Sequence, residues 1–389
     1  MPLNYLFTEK QLEIRDLCRD IAKKSILPVV KHYDDSGEFP WEIMEIFAKA
    51  DLFGIFIPEE YGGLGLGVTE LCIATEELSR ACGGIALGLA GTALGTEPIL
   101  VMGNDEQKAE YLPRIANGTL TAFSLTEPDA GSDVAAVRTK AVKDGDYYVI
   151  NGKKQWITNG GEAEIYTVIA STNPERGARG LSAFIVEKGT AGFEFGKKEN
   201  KMGIRASATR ELIFTDCKVP AKNRLGEEGT GFITVMRTFD HTRPGVAAQA
   251  LGIAQGALDW ALIYSKERHQ FGQPISAFQG IQFKLADMAT KIEAARALVY
   301  SVARMVDAGA KDTTRYSAQA KVFASDVAMA VTTDAIQILG GYGYMREYPV
   351  EKYYRDAKIT QIYEGTNEIQ RMVIGRDLIR TAGEEVYFE

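Results

Sequence analysis

The sequence predicts an α+β protein in three parts, helical at both ends and β in the middle, from three changes of pattern. From Thr8 to about Leu120, apolar residues recur with the 3.6-residue period of amphipathic helices. Near residue 120 the period shifts toward 2, and β-branched and aromatic residues dominate until about residue 230. After Gly231 the helical period returns and persists. The expected domains are therefore an N-terminal helical domain over 1–120, a middle β domain over 121–230 and a C-terminal helical bundle over 231–389.

In chain order, Thr8 and Gln11 fit a capping box, and Ile14, Leu17, Cys18 and Ile21 follow as one helical face. Further helices are expected over Trp41 to Ala50, Val68 to Ala81 and Asp105 to Ala116. The glycine-dense run Pro58 to Gly67 reads as a loop, since it does not fit G-x-G-x-x-G and no strand precedes it. In the middle part, Tyr147 to Ile150, then Asn151-Gly152, then Lys153 to Thr158 predicts a hairpin, because Asn-Gly suits a type I′ turn. Strands are expected over Glu164 to Ser171, Leu181 to Glu187, Phe193 to Lys197 and Arg210 to Val219. In the last part, Ala254, Ala257, Leu258, Ala261 and Leu262 share a face, and long helices over Phe283 to Val306 and Tyr316 to Leu339 suggest an antiparallel bundle.

A chain of 389 residues with 46% apolar and 25% charged residues can bury a sizeable core. Its net charge of −8 argues against nucleic acid as the main partner, while leaving room for a local basic patch that binds a small anion. Cys18, Cys72, Cys82 and Cys217 lie far apart, and only His32, His241 and His269 are present, so neither a metal site nor a disulfide framework is expected. The segment Met1 to Tyr5 lacks a basic stretch followed by an apolar one, and no membrane span, a run of roughly 18 apolar residues, is expected. These features suit a cytoplasm-like compartment, or a mitochondrial matrix protein already trimmed.

Four constellations carry candidate chemistry. Ile362 to Gln370 sets Glu364 on a turn hinged by Gly365, just ahead of a helix that Thr366 caps. A base can be aimed into a cleft there, although an exposed glutamate at a helix start explains the same residues. Phe123 to Asp133 packs hydroxyls and Gly131 into an irregular segment suited to an anion or a heteroaromatic edge, or to a capped turn. Gln155 to Gly160 places Trp156 and Thr158 two residues apart at a strand end, where alternation projects both to one side, to cover a flat ring or simply to fill core. Gln337 to Tyr344 holds three glycines, more than one helix cap requires.

Together with the Tyr61 to Gly67 loop, Met202-Gly203-Ile204-Arg205 and Glu267 to Gly272, these segments resemble the flavin-dependent acyl-CoA dehydrogenase family over almost the whole chain. Phe239-Asp240-His241-Thr242-Arg243-Pro244 is most similar to the short- and medium-chain straight-chain enzymes. The resemblance implies a middle domain built as an antiparallel β-barrel-like sheet and a C-terminal four-helix bundle. It implies that Glu364 is the catalytic base, removing the α-proton of an acyl thioester while the β-hydrogen leaves as hydride to flavin N5. Its own backbone N–H would then help to form the oxyanion hole. Leu125, Thr126, Trp156 and Thr158 are implied to hold the isoalloxazine ring of FAD, Phe123 to be a further cofactor position, and Gly131 with Ser132 to lie near the FAD pyrophosphate and the CoA moiety. Arg268, Phe271, Gln337, Gly340 and Gly341 are implied to reach the adenosine half of FAD bound mainly by a neighbouring subunit, with Thr366 and Glu368 as further cofactor positions. Ser132, Asp240, Arg243 and Gly365 are implied to contact acyl-CoA. A dimer is then the least functional unit and a homotetramer the family habit, with an electron-transferring flavoprotein as acceptor.

Acyl length in the family is set largely by the segment matching Ala86 to Leu100, whose small residues suggest a roomy cavity. Glu97 is odd in that setting and reads either as a rim charge or as the mark of a polar, branched or alicyclic acyl group. His241 and His269 are expected to serve packing or the surface, and Cys217 to act as a small buried hydrophobe. Beside the dehydrogenase stand two competing expectations: an acyl-CoA oxidase on the same scaffold, and a non-catalytic flavoprotein or helical scaffold.

Overall fold

The computed structural model describes residues 6–382. Its first part holds α1 (Glu9–Ile21), α2 (Val30–Ser36), α3 (Trp41–Lys49), α4 (Val68–Ala81), α5 (Gly83–Met102) and α6 (Asp105–Ala116). The capping box of α1 forms as expected: the Gln11 N–H donates to Thr8 Oγ1 at 3.3 Å, and the Thr8 N–H donates to Gln11 Oε1 at 3.0 Å. Leu17 stays exposed, so the buried stripe is narrower than the apolar pattern.

Helix α5 escaped the periodicity argument for a physical reason. It is apolar on all sides, being packed among α4, α7 and β1, so it has no polar face to mark a period. The same feature corrects the expectation about apolar runs. Gly83–Met102, Gly231–Glu267 and Thr313–Tyr344 each have the length and composition of a membrane span, and their apolar windows are 67%, 72% and 50% buried within the protein.

The middle part is an eight-stranded sheet: β1 (Thr121–Ser124), β2 (Lys140–Asp144), β3 (Tyr147–Thr158), β4 (Ile165–Ser171), β5 (Leu181–Glu187), β6 (Phe193–Lys198), β7 (Thr209–Pro220) and β8 (Arg224–Leu225). Its order is β6-β7-β3-β2-β4-β5-β8, with β1 added in parallel to β4. The hairpin expected at Asn151-Gly152 is not there; the chain turns earlier, at Gly145-Asp146, where Asp144 pairs with Tyr147. Asn151 and Gly152 instead form an irregularity inside one long β3. The Asn151 amide donates to Asp216 Oδ1 at 3.1 Å and accepts from the Asp216 N–H at 2.8 Å, so it finds partners across the ladder rather than in a turn. A Cβ on Gly152 would lie 2.5 Å from Thr139 Oγ1, which accounts for the glycine without any hairpin.

The last part is built on α7 (Gly231–Glu267), α8 (Gln279–Asp307) and α9 (Thr313–Leu339), followed by α10 (Val350–Thr360) and α11 (Asn367–Arg380). Helix α7 packs against α4, α5, α8 and α9. Its interior Pro244 cannot bond the Asp240 carbonyl; the Ser317 hydroxyl of α9 donates to that oxygen at 2.7 Å instead. The helix is therefore continuous where it passes the site.

Candidate active site

Between α4, α5, α7 and the edge formed by β1 and β3 lies a cavity of about 130 Å³. Phe123, Leu125, Thr126, Trp156 and Thr158 line it from the sheet, and Glu364 and Tyr363 from the turn before α11. Gly365 adopts φ 91°, and Glu364 itself is held at φ 49°, a conformation uncommon for a residue with a side chain. Thr366 caps α11 as expected, accepting from the Ile369 N–H at 3.3 Å.

Glu364 is half-buried and lines the cavity. Burial pushes its carboxyl above the usual carboxylate range; a hydrogen bond from Thr242 and the charges of Arg243 and Lys321 oppose that rise. The Thr242 hydroxyl donates to Glu364 Oε2 at 2.7 Å. Behind the turn, the Lys321 ammonium donates to the Gly365 carbonyl at 2.8 Å, and the Gln370 amide donates to the carbonyls of Glu364 and Gly365 at 3.0 and 2.9 Å. The Glu364 N–H has no acceptor among the described residues. The site thus holds a carboxylate with raised proton affinity and an unused backbone donor on the same residue.

Opposite stands a surface suited to a flat ring. Trp156 is 58% exposed and lies in a bulge of β3 at φ 58°, where the register to β7 slips between Lys154 and Ile157. Trp156, Ile157 and Thr158 all line the cavity, so the bulge rather than simple alternation aims them. The bulge is fixed to the next segment by the Gln155 N–H, which donates to the Thr126 carbonyl at 2.8 Å. Beneath it, buried Lys154 donates to the Leu125 carbonyl at 2.9 Å and to Glu127 Oε1 at 2.7 Å. Burial lowers Lys154 to about 8, while the nearby ammonium holds Glu127 below the carboxylate range against its own burial. The Thr126 and Thr158 hydroxyls find no partner among the described residues. An uncovered indole between two free hydroxyls fits a planar heteroaromatic group with a polar edge.

Other expected site residues lie elsewhere. Gly131 and Ser132 are exposed on the loop after Leu125 and do not line the cavity. Arg268, Gly340 and Gly341 border a separate open groove with Tyr342, over whose ring the Arg268 guanidinium sits at 5.4 Å. Phe271 is 94% exposed beside it, and Gln337 is exposed one turn earlier on α9. Glu368 faces outward on the first turn of α11. Arg243 is only 2% exposed and bonds Asp240 at 3.0 Å, while the Thr314 hydroxyl bonds the other Asp240 oxygen at 2.6 Å.

Glu97 does not line the cavity. It pairs with His241 Nδ1 at 2.6 Å, tying α5 to α7, and this bond raises the His241 pKa against the opposing effect of burial. His241 thus makes a defined side-chain bond while its side chain stays partly exposed. Thr242, Lys321, Gln370, Leu71 and Thr75 also belong to the site without having been expected there, Leu71 and Thr75 lining the cavity from α4. The available signals were that Thr242 lies in the Phe239 to Pro244 motif and that Gln370 closes the Ile362 to Gln370 segment.

A helix–sheet–helix chain that sets a half-buried carboxylate against an uncovered indole and two free hydroxyls is suited to redox chemistry on a planar cofactor. The comparisons make this specific. Family models described as the N-terminal, middle and C-terminal domains of acyl-CoA dehydrogenase match residues 8–119, 122–217 and 229–379. The chain belongs to the acyl-CoA dehydrogenase family of flavin-dependent oxidoreductases. An acyl-CoA dehydrogenase of Bacillus subtilis is 50% identical over 374 residues, which cover 96% of this chain and 98% of that one. The structure of butyryl-CoA dehydrogenase from Megasphaera elsdenii is 49% identical, with a TM-score of 0.94 over 96% of this chain and 99% of that one. A chain solved in work on the electron transferring flavoprotein of Acidaminococcus fermentans is 52% identical, also with a TM-score of 0.94 over 96% and 99% of the two chains.

Proposed function

We propose that this protein carries out the α,β-dehydrogenation of a short- to medium-chain acyl-CoA, branched and alicyclic chains included, with FAD as its flavin and Glu364 as its base. The observation that carries this reading is the position of Glu364, on the same cavity as Trp156 and Thr158 and set in surroundings that raise its proton affinity. A carboxylate so placed takes a proton from a carbon acid more readily near neutral pH than an ordinary solvated glutamate. The unused Glu364 N–H is available to the thioester oxygen, where charge develops as the α-proton leaves. Leu87, Leu94, Phe239 and Val246 surround the reacting carbons with hydrocarbon and keep water away from the base. Trp156, Leu125, Thr126 and Thr158 would hold the isoalloxazine. The flavin, when bound, supplies the acceptor for the β-hydride.

The open groove at Arg268, Gly340 and Gly341 lies in another part of the fold and suits the adenosine end of a neighbouring subunit's FAD, which makes a dimer the least active unit and a homotetramer the expected assembly. The similarity to the chain from the work on the Acidaminococcus flavoprotein supports an electron-transferring flavoprotein as acceptor. The test is an anaerobic titration of the yellow protein with a panel of CoA thioesters. Bleaching by butyryl-CoA or a close homologue, reversed by an electron-transferring flavoprotein, is expected. No bleaching by any thioester, or peroxide release at the turnover rate in air, would overturn the proposal.

A further inference from the structure

The turn that carries Glu364 is clamped from behind by a buried cation. Lys321 is fully buried on α9, and its ammonium donates to the Gly365 carbonyl at 2.8 Å and to Asn367 Oδ1 at 2.9 Å. Gln370, one turn into α11, donates to both carbonyls of the turn. A Cβ on Gly365 would stand 2.6 Å from the Gln370 amide nitrogen, so the glycine is needed for this close approach. Both carbonyls therefore point away from the cavity, which leaves the Glu364 N–H free and carries its side chain to Thr242.

We infer that Lys321 is a positioning residue for the reaction: its cation and the Gln370 amide hold the Glu364–Gly365 turn in its strained form, and its charge favours the ionised base. The inference rests on Glu364 being the base, as proposed above. The charged groups around Lys321 are Glu364 and Glu368 on the turn and α11, Arg243 on α7 and Asp326 on α9 itself. The two turn carboxylates and Asp326 favour its charge, whereas burial and Arg243 oppose it and bring the lysine down to about 7. Below that pH Lys321 is charged and stabilises the Glu364 carboxylate. Above it the neutral amine still has two N–H donors for the same two oxygens, so the geometry persists as the charge is lost.

The experiment compares flavin-loaded wild type, Lys321→Met and Lys321→Arg in anaerobic stopped-flow reduction by butyryl-CoA across pH. Lys321→Met should reduce flavin about tenfold more slowly near neutral pH with little change in apparent substrate affinity, and its acid limb should rise by about one pH unit, the lower end of what a nearby charge does to a carboxylate. Lys321→Arg, which restores the cation, should bring the acid limb back toward wild type. A Lys321→Met protein with lower thermal stability and flavin content but an unmoved acid limb would overturn the inference, because a purely structural lysine would do just that. Should Lys321→Met not accumulate with flavin, Gln370→Met tests the clamp without a change of charge. Slower reduction with an unmoved acid limb supports it, and an unchanged rate overturns it. Failure of wild-type protein to be bleached by any thioester would instead be failure of the proposed function.

Discussion

Replacing Thr242 by Val removes one hydroxyl and leaves the shape of α7 unchanged, and the consequence falls on the base. The hydroxyl donates to Glu364 Oε2 at 2.7 Å, and this bond is the largest effect opposing the rise that burial imposes on the carboxyl. A hydrogen bond to a charged group contributes about 1.5–3 kcal/mol. One pKa unit corresponds to about 1.4 kcal/mol, so full loss of the bond would raise the carboxyl by roughly one to two units. Arg243 and Lys321 remain, and the cavity lets other donors approach, so the lower figure of about one unit is expected. Because the base acts in its ionised form, the acid limb of flavin reduction should move up by about one pH unit. On that limb the rate falls about tenfold, and on the plateau it stays within about twofold. Anaerobic stopped-flow reduction by saturating butyryl-CoA measures both, with Thr242→Ser as a control that keeps the wild-type profile. A Val profile superimposed on wild type, or one displaced to lower pH, would refute the reasoning.

Other outcomes follow from the same geometry. Glu127→Leu leaves the Lys154 ammonium buried without its counter-charge, which should cost about 3–5 kcal/mol, read as a lower denaturation midpoint, and should loosen the Leu125–Thr126 segment enough to lower flavin occupancy. His241 has a raised pKa in the folded protein, so the stability that its pair with Glu97 contributes is full below the unfolded value near 6.5 and is lost as pH rises through the folded one. His241→Gln should therefore lower the melting temperature more at pH 6 than at pH 9; an equal loss at both would remove the charge argument. Gly95→Ala would set a Cβ 2.5 Å from Thr121 Oγ1 and 2.7 Å from the Ala122 nitrogen. The overpacking costs about 3 kcal/mol and helix propensity returns about 1, so a net loss of about 2 kcal/mol in chemical denaturation is expected.

Much of the fold was legible because periodicity and burial coincide. Asp105–Ala116 forms a helix with the bounds that the pattern implies, because it has a polar face and a capping box, and Val68–Ala81 does so although nearly all of its residues are buried, because it keeps polar residues such as Glu76 and Glu77 that find partners inside the protein. Helix α5 was not legible, since a segment surrounded by protein has no face to leave polar. Asn151-Gly152 misled because its turn preference is local, whereas the ladder with β7 and the side-chain bonds to Asp216 are not. At the site, the Glu364 turn and the Trp156 segment announced themselves through glycine and aromatic chemistry. Thr242 and Lys321 did not, since a threonine and a lysine within long helices carry no sign of what they face until α7, α9 and the turn are brought together. Glu97 looked anomalous in sequence because its partner His241 lies 144 positions away.

The central claim is that Glu364, held against the cavity shared with Trp156 and Thr158, is the group that takes the proton. Glu364→Gln keeps the size of the side chain and its hydrogen bond with Thr242 while removing basicity. Loaded with flavin to the wild-type level and mixed anaerobically with butyryl-CoA, the variant should bind the thioester yet leave the flavin oxidised long after wild type is fully bleached. Reduction at a rate within about tenfold of wild type would contradict the account.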